Sequence, residues 1–167
     1  MTMEKTNVKY NAYIKILEEE LRPAMGCTEP IALAYAAAVA RKGLGELPDK
    51  VVIGASGSII KNVKSVIVPN TDHLKGIPAA AAAGIVAGDP DKELEVIASV
   101  EKEAIAEMKE FLEKTPISVE HVDNGFTFEI VVTLYKGEAW SRVRIDNFSF
   151  DFNRQLPYQH RTDREER

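Results

Sequence analysis

A chain of 167 residues with 45% hydrophobic and 28% charged side chains has room for one sizeable domain and the balance of an ordinary globular protein. Its net charge of −5, with lysines and arginines scattered, argues against nucleic acid and membrane as partners. A single cysteine excludes an internal disulfide framework. The sequence shows no apolar core of the signal-peptide kind and no membrane-spanning apolar stretch, so a cytoplasmic soluble protein is expected.

Tyr10, Ile14, Leu17 and Leu21 recur at helical spacing and predict an amphipathic helix over residues 8–21, closed by Pro23. A second helix opens with Thr28 or Glu29 as cap and Pro30 in its first turn, and Gly43 is read as its end. "KVVIGASGSII", residues 50–60, is β-rich, and "VKSVIVP" reads as a second strand. Residues 78–87 form a small-residue helix suited to burial. "GDPDKE" restarts the helix with Asp89 as cap, and an apolar stripe of Leu94, Ile97, Ala98, Ile105, Met108 and Leu112 runs to about Lys114.

Past Pro116 the period becomes two. "ISVEHV", then Asp123-Asn124-Gly125, then "FTFEIVVTLY" carries a hairpin signature, with Phe126, Phe128, Ile130, Val132 and Leu134 on one face. Lys136-Gly137-Glu138 turns into the further strand "AWSRVRI". The class is α+β: N-terminal helices, an alanine-rich buried helix and a long amphipathic helix packed on a mostly antiparallel sheet. The segment from residue 147 on begins with alternating aromatics and ends polar and arginine-rich, which reads as a solvated tail.

Cys27 admits two readings: a small buried hydrophobe, or a metal-type thiolate ligand. Gly26 allows close backbone approach, and the helix start that follows favours a thiolate or an anion. The histidines are His73, His121 and His160; His121 reads as a surface residue beside a turn. The loop Asn70, Thr71, Asp72, His73 precedes a helix start and suits a carboxylate or another anion. Equally, Asn, Thr and Asp there can shape the turn and cap the helix. Glu29 reads as a helix-start acid and Lys61 as a solvated charge.

"RPAMGCTEPIALAYAAAVA", "GSIIKNVKSVIVPNT", "LKGIPAAAAAGIVAGDP" and "KELEVI", in order between about residues 10 and 145, resemble the L-cysteine desulfidase family, relatives of the iron–sulfur L-serine dehydratase α chain. The resemblance implies a lyase that holds a [4Fe–4S] cluster on three cysteines. Its open iron would act as a Lewis acid in converting L-cysteine to pyruvate, ammonia and sulfide. It makes Cys27 a cluster ligand and Thr28, Glu29, Asn70 and Thr71 candidates to line the site of a small amino-acid substrate. Lys61-Asn62 matches a family-like element of unassigned role.

Family chains are more than twice as long and carry their other cluster cysteines in a C-terminal half. The resemblance therefore implies a chain that is inactive alone and holds no stable cluster: residues 1–146 as the N-terminal part of such a domain and 147–167 as an atypical tail. One codon choice for residues 157–167, read a nucleotide later, encodes His-Thr-Asn-Ile-Val-Arg-Ile-Glu-Lys-Asn, like the segment that follows this strand in family chains. A frameshifted tail, loosely packed from Arg154 on, is expected. A homo-oligomer, or a missing half supplied as a separate chain, is the implied partner. The alternatives are an L-serine dehydratase-type lyase and a non-catalytic amino-acid-binding or structural subunit.

Overall fold

The computed structural model describes residues 28–147 and 150–156. The helix expected over residues 8–21, Cys27 and the segment past Leu156 lie outside them. Within the described residues the fold is α+β. Helix α1 (Thr28–Leu44) is followed by strand β1 (Lys50–Ala55), helix α2 (Gly57–Val63), helix α3 (Gly76–Ala87), a 3-10 helix (Pro90–Glu95) and helix α4 (Lys102–Lys114). Strands β2 (Ile117–His121), β3 (Glu129–Lys136), β4 (Ala139–Asp146) and β5 (Phe150–Gln155) follow. The sheet order is β2-β1-β3-β4-β5, antiparallel except for the β1–β2 pair.

Alternation along the strands sets the core. Val51, Ile53 and Ala55 pair with Leu134, Val132 and Ile130, and Val143 and Ile145 pair with Phe152 and Phe150. All are buried on one side of the sheet, and α1 packs against β3 and β4. The opposite side carries Tyr135 beside Lys50 and Trp140 beside Arg142, each cation within 5.5 Å of the ring centre.

Helix α3 lies on α1 and is apolar all round, with Ala79 to Ala83 all buried. Gly84 permits this contact, because a Cβ there would overlap the carbonyl oxygen of Ala34. Gly43, expected to end α1, lies inside it; a Cβ there would overlap the Phe152 ring. The helix stops instead at Gly45, whose φ of +88° suits glycine.

Several expectations are corrected. "GSII" is helical rather than extended: Ser56 is the N-cap of α2, and its hydroxyl accepts from Glu129 N and donates to Thr127 O. "VKSVIVP" forms no strand, only a bridge from Ile67 to Lys75. The residues from 90 to 114 are not one helix, although Asp89 caps their start by accepting from Asp91 N at 3.0 Å. The Asp-Asn-Gly turn forms with Gly125 at φ +83°, yet β2 and β3 are not partners. Both flank β1, because the turn residues fix a reversal and not the strand that the returning chain meets. Strand β5 includes Arg154 and Gln155, where loose packing was expected; Arg154 Nη1 donates to Gly43 O at 3.2 Å. Among the described residues, no helix is long and apolar enough to cross a membrane.

Candidate functional site

Residues 69–76 leave the α2 side of the molecule and return to α3 in a narrow loop. Val68 N donates to Leu74 O at 2.8 Å and Gly76 N to Val66 O at 3.2 Å, closing its base. Inside it, Asn70, Asp72 and His73 take φ values of +61°, +56° and +69°. These residue types tolerate the left-handed region best after glycine, which is why the sequence can turn so sharply here. The buried Thr71 donates its hydroxyl to Val68 O at 2.7 Å and so serves the loop itself.

Its neighbours reach outward. Asn70 Nδ2 donates to Ile97 O at 3.0 Å, tying the loop to the segment ahead of α4. Asp72 Oδ2 meets Lys109 Nζ at 3.1 Å, tying it to α4 itself. Between these two ties lies a groove of about 560 Å³ lined by Asn70, Asp72, Val100, Lys102, Ile105, Ala106 and Lys109. Lys102, Ile105, Ala106 and Lys109 are spaced i, i+3, i+4, i+7 and share one face of α4. Two ammonium groups, one carboxylate and one amide thus surround an apolar floor. The groove is open to solvent, and its lining suits a small anion with an apolar body.

The other expected site residues fall elsewhere. Glu29 stands in the first turn of α1 and accepts from Asn62 Nδ2 at 3.3 Å. Burial pushes its carboxyl above the ordinary 4.5, opposed by that hydrogen bond. Its Oε2 is shielded and has no hydrogen-bond partner among the described residues. Asn62 of the Lys61-Asn62 element is therefore Glu29's partner, and Lys61 is exposed. Thr28 opens α1; its side chain, like Cys27, lies outside what is described. Among the described residues, no group of three or more His, Cys, Asp or Glu side chains is placed to hold a metal ion.

Sequence reasoning missed Lys102 and Lys109, and it assigned Ile105 to the core stripe. It also missed a partly buried cluster where β3 begins and β4 ends. There Glu129 Oε1 accepts from Asn124 Nδ2 at 2.8 Å and from Arg144 Nε at 3.3 Å, while Arg144 Nη1 meets Asp146 Oδ2 at 2.7 Å. That cluster pins the 122–128 connection to the sheet.

No protein-family model matches the chain, and neither does any solved structure. The chain is similar to UPF0597 proteins. It is 51% identical over 148 residues to one from Desulfitobacterium hafniense (strain Y51), covering 89% of this chain and 34% of the relative. One from Treponema denticola is 47% identical over 133 residues, 80% of this chain and 30% of the relative. One from Shewanella oneidensis is 41% identical over 137 residues, 82% of this chain and 32% of the relative. The chain thus spans about a third of the length of these curated relatives. These findings correct the expected resemblance: the similarity found is to UPF0597 proteins, not to the L-cysteine desulfidase family. The iron–sulfur lyase and serine dehydratase readings fall with it.

Proposed function

We propose that this domain is a small-molecule-binding lobe whose site is the groove between the 70–73 loop and α4. Its ligand is a small organic acid, amino acids included. The carrying observation is the lining itself: Lys102 and Lys109 over an apolar floor of Val100, Ile105 and Ala106, closed by a polar loop. Cations fix the position of an acid group, and the floor takes its carbon skeleton. A stretch of 148 of 167 residues necessarily includes the groove, so it lies in the part shared with the Desulfitobacterium relative.

A ligand that binds only the folded state raises the thermal midpoint, with a stabilisation that grows as the logarithm of one plus the ratio of free ligand concentration to Kd. Small amino acids and the corresponding 2-oxo acids are therefore expected to raise the midpoint of the wild-type chain. The same compounds are expected to leave a Lys102→Ala/Lys109→Ala variant unmoved. Equal stabilisation of the double variant would place the site elsewhere.

A further inference from the structure

We propose that Asp72 is a built-in competitor for the ligand's anionic group. Its carboxylate holds Lys109, and a bound organic anion takes that ammonium in its place. The proposal rests on the groove being the ligand site. It goes further in stating what the ligand must displace and which charge it must carry.

Three observations carry it. First, Asp72 Oδ2 and Lys109 Nζ are 3.1 Å apart and both line the groove, so a side-chain carboxylate already engages a cation that an acid ligand would use. Second, the pair is held loosely. Its side chains are 63% and 49% exposed, and ion pairs so open to water exchange at little cost. Third, the loop does not depend on the pair for its shape. Asn70 is anchored on Ile97 O, Thr71 on Val68 O, and Val68 and Leu74 close the base through their backbone. The bridge can therefore open while the loop stays in place. Lys102, two helical turns before Lys109 on the same face, has no ion-pair partner among the described residues and leaves the lining with one cation in excess.

Competition of this kind also sets selectivity. A neutral ligand gains nothing from displacing Asp72, and a cation meets two lysines. The favoured class is a small organic anion with a compact apolar body, its head group a carboxylate or a phosphate.

The test is isothermal titration of the full chain with 3-methylbutyrate and 3-methylbutyl phosphate, with 3-methylbutanol and 3-methylbutylamine as neutral and cationic controls. Asp72→Asn removes the competing charge and keeps the shape, and asparagine is well suited to a positive φ. The wild-type chain is expected to bind at least one of the two anions and neither control, and the better anion identifies the head group. Asp72→Asn is expected to bind that anion about two- to fivefold more tightly, the factor that an exposed ion pair represents. The Lys109 ε-methylene resonance should move on anion binding in the wild type. In ligand-free Asp72→Asn it should already be shifted from its wild-type position. Wild-type binding with unchanged or weaker binding by Asp72→Asn would overturn the competitor role and leave the groove standing. Absence of anion binding by both proteins would overturn the groove as well.

Discussion

Where α3 crosses α1, the contact is methyl groups against bare backbone: Ala79 to Ala83 and Gly84 on one helix, Ala34 and its neighbours on the other, all buried. A few residues earlier, the 70–73 loop is built from polar side chains and holds by polar ties: Thr71 to its own base, Asn70 to the segment ahead of α4 and Asp72 to α4. The helix contact leaves no room for an added atom: a Cβ at Gly84 would meet the Ala34 backbone. The loop has several small interactions, and its outermost one can be exchanged without loss of the others. Rigidity beneath and exchangeability above is the arrangement a binding site needs.

The comparison is broken most severely at Gly84. Gly84→Ala gains helix propensity but drives its methyl into the Ala34 carbonyl, which no rotamer relieves. A net loss of about 3 kcal/mol is expected in urea unfolding. Glu129→Ala, at the distant polar cluster, strands Asn124 and one side of Arg144 and is expected to cost about 2 kcal/mol by the same assay. The loop responds less. Asn70→Ala loses the tie to Ile97 O and the residue type best suited to its φ of +61°; about 1–2 kcal/mol is expected. Thr71→Val removes one buried hydroxyl bond, about 1 kcal/mol.

The smallest effect concerns Glu29. Its folded carboxyl titrates above the ordinary 4.5, so the folded state binds the proton more readily than the unfolded one. That contribution is fully present below pH 4.5 and is lost as pH rises through the raised value. Denaturant midpoints followed against pH should show this decline in the wild type and not in Glu29→Gln, which is expected to be slightly the more stable at neutral pH.

Much of the scaffold was legible because its signals are local. The alternation of Ile130, Val132 and Leu134, the small-residue run of α3 and the Asp89 cap each follow from neighbours in sequence. The misreadings were long-range. Ile59 and Ile60 favour strands, yet Ser56 ends β1 by bonding to Thr127 and Glu129, far along the chain. Likewise, nothing near Asp123-Asn124-Gly125 announces that β1 lies between the strands on either side of it. Of the groove, Asn70 was legible as a loop residue ahead of a helix. Lys102, Ile105, Ala106 and Lys109 were not, because an i, i+3, i+4, i+7 face with half-apolar character reads as core edge until its partner loop is seen.

The central claim is that ligand binds between the 70–73 loop and α4 while the helix pair beneath stays still. An amide chemical-shift map of the labelled full chain, titrated with 3-methylbutyrate and 3-methylbutyl phosphate, tests it most directly. Saturating shifts are predicted at residues 70–73 and 100–109, with Gly84 and the amides of α1 unmoved. Shifts centred on Glu29 and Asn62, or on Tyr135 and Trp140 across the open side of the sheet, would contradict it.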